Sequence, residues 1–399
     1  MNRLFDSKPM SKRLYLTIVA FVFLTYPLFL SCKKNPGSPT IENPSNFHDI
    51  FEQFWVKMND RYVYWDKENT NWDGIYNHYA PLFDKLTNSD DDVRQSVVYF
   101  KQMTTELVDS HFKIIFKNHL LIDSTINPAI SRKMNKDTFH RPYQYDELVR
   151  HYLDEGFLSE KGNIVNNGAL ISATSGTING NLLYFHCNFF SLKQSWEAND
   201  NNNVNQVLSY FFAKIKKEGN PIKGIIIDLR NNTGGDLQDL NFLAGKLLNT
   251  DVIFGYSRSK TGLGKMSYLP WLEAKIRYDP TYNVTAPLVI LADAFSASLS
   301  ETFIIALKTK KNCSFIGEQT YGATGPISDP LIFNSGSFDV GDFMSIETSS
   351  VEFKGLNNSF YEGKGITPDI NLPFNLRKLS QGIDEQLEAA IKQLNDQTK

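Results

Sequence analysis

Residues Pro287–Gly325 read PLVILADAFSASLSETFIIALKTKKNCSFIGEQTYGATG, and the fold turns on how this stretch is read. Leu288–Ala292 is an unbroken apolar run of strand length. A small-residue turn follows, after which Leu299, Phe303, Ala306 and Leu307 recur at helical spacing. The spacing predicts a strand, a turn and a helix that opens near Ser298. A serine in such a turn lies beside the free N–H groups and partial positive charge of a helix N-terminus. Those donors suit a nucleophile, because the oxyanion it generates forms next to them. Serine is equally at home as a plain N-cap, so Ser296, Ser298 and Ser300 carry both readings here.

Upstream and downstream the same alternation continues. Asn181–Phe189 reads as a strand and Val204–Lys217 as an amphipathic helix. Gly224–Leu229 is a short apolar run of the kind buried on both faces. Arg230-Asn231-Asn232-Thr233-Gly234-Gly235 then turns into a helix over Leu237–Leu248, and Ser314–Ile316 is a further strand. This order predicts an α/β core with a largely parallel sheet, in which ligands bind at the carboxyl ends of the strands. The Gly234-Gly235 turn and Ser298 both fall there. Adjacent glycines permit close backbone approach and converging N–H groups, or simply a tight turn. Neither GxGxxG nor GxxxxGK[ST] is present, which argues against phosphate binding.

Ahead of the core, Phe47, Ile50, Phe51, Phe54 and Met58 form a helical stripe. Helices are expected over Trp72–Leu86 and Asp91–Val108, the latter with an Asp-rich start that suits a helix N-terminus. The segment ends in Leu107-Val108-Asp109-Ser110-His111-Phe112 and the strand-like Lys113–Phe116, so His111 stands at a helix-to-strand junction. None of the seven histidines pairs with another at metal-ligand spacing, and no metal or cofactor is expected. Residues 120–168 give little pattern beyond a helix over Tyr145–Glu155.

At 41% hydrophobic and 21% charged, the 399-residue chain has an ordinary globular composition, and its net charge of −3 gives no electrostatic case for nucleic acid. Lys8, Lys12 and Arg13 precede the apolar run Leu14–Leu30, the layout of an export signal. Phe29-Leu30-Ser31-Cys32 resembles a bacterial lipobox, which implies lipidation of Cys32 and attachment to a membrane. The lysines after Cys32 point to the outer membrane, facing the periplasm. A polar tether rich in Pro, Ser and Asn follows. Cys187 and Cys313 sit in apolar segments and suggest neither a disulfide framework nor a zinc site.

Four motifs gather these pieces: Leu107–His111; Ile227–Gly235; Phe295–Glu301; and Glu362-Gly363-Lys364-Gly365-Ile366-Thr367-Pro368-Asp369-Ile370. In order and spacing they resemble serine peptidases of the C-terminal-processing, tricorn and interphotoreceptor-retinoid-binding-protein superfamily, over about 46–117 and 180–375. The resemblance implies a crotonase-like α/β core preceded by a small helical domain. It further implies hydrolysis of peptide bonds in extended or unfolded polypeptides through an acyl-enzyme on Ser298. One branch pairs the serine with a lysine, but here Ala323 stands at that position, leaving Lys364 as a substitute. The tricorn-like branch implies His111 as base, Ser110 on the imidazole's other nitrogen and Glu362 polarising Ser110. The amides of Gly234, Gly235 and Leu299 would form the oxyanion hole. The expected division is a signal peptide (1–31), tether (32–45), helical domain (46–117), insertion or lid without a PDZ domain (118–179), peptidase core (180–375) and C-terminal helix (376–399). A non-catalytic protein binding hydrophobic ligands or peptides on the same fold is the alternative, and ester hydrolysis at the same site is a third reading.

Overall fold

Gly224–Asp228 and Leu288–Ala292 are buried at every position, because both lie inside a seven-stranded sheet with helices on each face. The computed structural model describes residues 43–122, 124–164, 170–198, 203–216, 222–328 and 335–397; Cys32 and the expected signal peptide lie outside them. In spatial order the sheet runs Ile370–Asn371, Cys313–Gly317, Leu288–Ala292, Gly224–Asp228 and Leu182–Cys187, all parallel. Leu170–Ile178 and Leu158–Ile164 then extend it antiparallel. Successive side chains point to opposite faces. Thus Ile225, Ile227, Leu288 and Ile290 join a core with Val207, Phe211, Leu243 and Phe303 from the helices Val204–Lys216, Gln238–Leu247 and Leu299–Leu307. Ile226, Val289 and Leu291 face Leu387, Ala390 and Leu394 of the helix Glu385–Gln397. A strand needing apolar residues on both faces reads as a continuous apolar run, which is why these strands are visible in the sequence.

Two expected boundaries are redrawn. The segment 118–179 is not wholly an insertion or lid, since Leu158–Ile164 and Leu170–Ile178 complete the central sheet. The second of these reads LISATSGTI, and its hydroxyls are satisfied internally, as where Ser175 Oγ donates to the Tyr184 carbonyl at 2.8 Å. No apolar run marks it. The region 46–117 is likewise not self-contained. Lys113–Phe116 pairs antiparallel with Met344–Glu347, and Phe338, Val340, Met344 and Ile346 share the core of the N-terminal helices. The helix expected over Tyr145–Glu155 shortens to Asp146–Arg150. The C-terminal helix divides into Leu376–Leu379 and Glu385–Gln397, with Gly382 at φ +82° between them.

The N-terminal helices Phe47–Arg61, Trp72–Phe83 and Asp90–Thr104 are capped by Asn46, Asn71 and Ser89, whose side chains accept the N–H groups of Asp49, Gly74 and Asp92. Their core is aromatic: Trp55 stacks on Trp72 at 4.5 Å and Phe51 on Phe83 at 4.8 Å. Such pairs add about 0.5–1.5 kcal/mol each beyond the area they bury. Among the described residues no helix is long and apolar enough to cross a membrane.

Arg230 leaves the end of the central strand fully buried. Its guanidinium pairs with Asp228 and with Asp384 (Nη1 at 2.8 and 2.9 Å), reaches Gln386 Oε1 at 3.2 Å, and lies 3.8 Å over the Tyr145 ring. It thereby joins the sheet, the segment before Leu158 and the start of the last helix. Arg230→Met should leave two buried carboxylates uncompensated and cost about 3–5 kcal/mol. Urea unfolding of both forms checks this, and an unchanged midpoint would contradict it.

Candidate active site

Ser298 ends the turn between Leu288–Ala292 and the helix Leu299–Leu307, and its backbone sits at φ 56°, ψ −119°. A non-glycine residue there is strained and persists only where its surroundings impose the conformation. Glu301 supplies part of that constraint. Its buried carboxylate accepts the Ser298 N–H at 3.2 Å, the Gly322 and Ala323 N–H groups at 2.7 and 2.6 Å, and Thr320 Oγ1 at 2.5 Å. Burial raises its pKa. Asp293 holds the other side of the turn by accepting from the N–H groups of Asn231, Phe295 and Ser296; burial pushes its pKa up to about 6.

The flanking serines serve as cross-links. Ser296 Oγ donates to the Leu229 carbonyl at 2.7 Å, and Ser300 Oγ donates to Asn232 Oδ1 at 2.8 Å. Ser298 lines an open cleft of about 790 Å³ together with His111, Thr233, Gly235 and Leu299. Its walls are largely apolar and include Leu237, Leu240, Phe254, Ile276 and Phe353.

The expected oxyanion set is corrected at one position. Gly234 N–H already donates to Asn232 Oδ1 at 2.9 Å, so it is not a free donor. Its glycine is needed for another reason: φ is +100°, and a Cβ would stand 2.6 Å from Ser298 Cβ. The loop can press against the serine only without a side chain. Gly235 is pinned likewise, since a Cβ there would come within 2.1 Å of the Phe190 carbonyl oxygen. The N–H groups of Gly235 and Leu299 make no hydrogen bond among the described residues.

The expected chain from Glu362 through Ser110 to His111 is also corrected. Ser110 donates its backbone N–H, not its hydroxyl, to Glu362 Oε1 at 2.8 Å, and its buried Oγ has no partner among the described residues. Glu362 also accepts from Gly325 N–H at 2.9 Å and from Thr324 Oγ1 and the Tyr64 hydroxyl, both at 3.1 Å. Burial, then the neighbouring Asp109, pushes its pKa up to about 8. His111 Nδ1 instead lies 3.4 Å from Ser349 Oγ. That hydroxyl donates to Asp109 Oδ1 at 2.9 Å, and Asp109 further accepts from Ser349 N–H, Thr348 Oγ1 and His111 N–H at 2.8, 2.5 and 2.9 Å. Burial lowers the His111 pKa, opposed in part by Asp109 and Glu347.

Asp109, Ser349, Asn232 and Glu301 were not singled out as site residues from the sequence. Three of them stand within the recognised motifs; Ser349, in a polar stretch 238 residues from His111, gives no local signal. Asp109, His111 and Glu362 offer ligand atoms within 4.8 Å of one another. A cation there would have to displace the protein donors that already surround both carboxylates. Ala323, at the place of a dyad lysine, is buried with its N–H on Glu301. Lys364 is exposed on a separate groove of about 500 Å³, so it does not substitute for that lysine. Lys133, from the helix Pro128–Met134, bonds to the Tyr321 carbonyl and lies 3.8 Å over its ring; burial draws its pKa down to about 8.

Residues 182–372 match peptidase family S41, and residues 44–93 match the tricorn protease C1 domain. The carboxy-terminal processing protease CtpB of Bacillus subtilis is 27% identical over 161 residues, covering 40% of this chain and 30% of that protein; the match thus spans less than a third of the relative's own length. A solved structure from Parabacteroides merdae shares the fold with a TM-score of 0.67 at 20% identity, covering 88% of this chain and 97% of that one. The matched segment contains Ser298, Glu301, the Gly-Gly turn, Ser349 and Glu362, and over residues 182–372 the chain is similar to peptidase family S41.

Proposed function

We propose that the protein is an exported serine-type peptidase that hydrolyses peptide bonds in extended or unfolded polypeptides through an acyl-enzyme on Ser298. The observation that carries this reading is a strained serine sharing one cleft with a half-buried histidine and two backbone N–H groups that are unengaged among the described residues. His111 Nδ1 faces Ser349, which leaves Nε2 to take the proton from Ser298 Oγ as that oxygen attacks the substrate carbonyl. The oxyanion is received by the N–H groups of Gly235 and Leu299, worth about 2.7–4 kcal/mol per donor in comparable sites. The imidazolium then gives its proton to the departing amine. Water, deprotonated by the same histidine, releases the acyl group and regenerates the serine. The open apolar cleft suits an extended chain, and the core supporting it is read as crotonase-like. Export and lipid attachment through Cys32, at the outer membrane facing the periplasm, rest on the basic-apolar-Cys order of residues 8–32.

Ser298→Ala should abolish cleavage of an unbiased peptide mixture, read by mass spectrometry, while leaving the fold intact. Residual activity within about tenfold of the unmodified protein would remove Ser298 from the chemistry, since losing an essential nucleophile costs far more. The pH profile gives a second check. Burial holds the His111 pKa below the ordinary 6.5, so the active neutral form persists to lower pH than for a free imidazole. The acid limb of kcat/KM should therefore fall below pH 6.5; a limb at or above that value would contradict the assignment of His111 as base.

A further inference from the structure

We infer that Ser349 and Asp109 are the positioning residues that orient His111, in place of Ser110 and Glu362. This rests on the serine-peptidase reading of the cleft and gives a role to two residues to which the resemblance assigns none. The Ser349 hydroxyl has one proton to give, and a carboxylate can only accept. Asp109 Oδ1 lies 2.9 Å from Ser349 Oγ, closer than the Gly325 carbonyl at 3.1 Å, so the proton points to Asp109. Ser349 Oγ then presents a lone pair to His111 Nδ1 at 3.4 Å. With Ser349 oriented in this way Nδ1 carries the ring proton and Nε2 is left as the base, the Gly325 carbonyl being a further acceptor for the ring.

The aspartate cannot turn away. It is wholly buried, and Thr348 Oγ1, Ser349 N–H and His111 N–H fix both of its oxygens. When His111 becomes an imidazolium, this carboxylate lies one hydroxyl away from the new charge. Ser110 and Glu362 have no comparable line to the ring. The Ser110 hydroxyl has no partner among the described residues, and Glu362 is held by Ser110 N–H, Gly325 N–H, Thr324 and Tyr64. Asp109, Glu347, Glu362 and Lys113 are the charged or titratable groups around the ring. Of these, Asp109 is the one joined to Nδ1 through a hydroxyl.

The experiment compares Ser349→Ala, Ser349→Thr, Asp109→Asn, the Ser349/Asp109 double variant and Ser110→Ala in the same protein. Ser349→Ala should lower kcat about 10–100-fold, the scale of a lost orienting partner, with KM within about twofold. Ser349→Thr keeps the hydroxyl and should restore most of the loss. The double variant should be no slower than its slower parent, because the two residues act through each other. Ser110→Ala should change kcat by less than about threefold. Nitrogen-15 NMR of the imidazoles, with His111 assigned by its own substitution, gives a readout independent of turnover. The unmodified protein should show the Nδ1–H tautomer at His111, and Ser349→Ala should lose its dominance. If Ser110→Ala instead collapses kcat while Ser349→Ala leaves rate and tautomer unchanged, the inference is overturned. Should the unmodified protein cleave nothing, the peptidase reading fails by itself, and the tautomer still decides whether Ser349 orients the ring.

Discussion

The site depends on one buried amide. Asn232 stands just beyond the central strand, and its Oδ1 accepts both Gly234 N–H and Ser300 Oγ while its Nδ2 donates to the Cys187 carbonyl at 2.7 Å. One side chain thus ties together the ends of two neighbouring strands and the first turn of the helix that follows Ser298. Its own carbonyl accepts Ala297 N–H at 3.0 Å, closing the link on the residue before the serine. Left-handed backbone at a serine costs on the order of 1–3 kcal/mol. It is held here because relaxing it would break several buried hydrogen bonds together, each expensive to leave unmade. Strain at Ser298 and rigidity at Asn232 are two sides of a single arrangement.

The second organising feature is a group of buried carboxylates that make no ion pair among the described residues. Asp109, Asp293, Glu301 and Glu362 are all 0–1% exposed, and each is satisfied by N–H and O–H donors from segments far apart in sequence. Burial pushes the pKa of Asp293, Glu301 and Glu362 upward. The backbone donors pull the other way, by stabilising the charged form. The arrangement holds these loops through backbone and hydroxyl donors. It also accounts for the polar character of residues 320–325 and 348–350. These residues supply donors to carboxylates on other elements, so their hydrogen-bonding groups are chosen for those partners and not for a regular strand or helix.

Legibility in the sequence follows the range of the interactions. Leu288–Ala292 and Gly224–Asp228 could be read because a strand covered on both faces must be apolar throughout. The N-terminal helices could be read because a helix with one buried face repeats its pattern every turn. Leu170–Ile178 could not, since Thr174, Ser175 and Thr177 bond to Ser159, the Tyr184 carbonyl and Asp154, partners that no local pattern records. The boundary after residue 117 was misplaced for the same reason: Phe338, Val340, Met344 and Ile346, more than two hundred residues away, finish the core of the N-terminal helices.

At the site itself, the residues that must approach the reacting atoms lie in compact motifs, and Ser298, His111, Gly235 and Leu299 meet in one cleft as their positions suggest. What the motifs could not convey is which atom of a named residue is used. Gly234 matters for the side chain it lacks rather than for its N–H, and Ser110 through its N–H rather than its hydroxyl. A hydroxyl bridge such as Ser349 is still harder to see. Serine is among the commonest polar residues, its hydroxyl can face any donor or acceptor, and only the packing of Thr348–Ser349 against Asp109 gives it a direction. The aspartate two residues before the histidine is the trace this arrangement leaves in the local sequence: its buried side chain accepts the histidine's own N–H. A histidine preceded at that distance by an acid, at the end of a helix and the start of a strand, therefore carries more information about orientation than the serine between them.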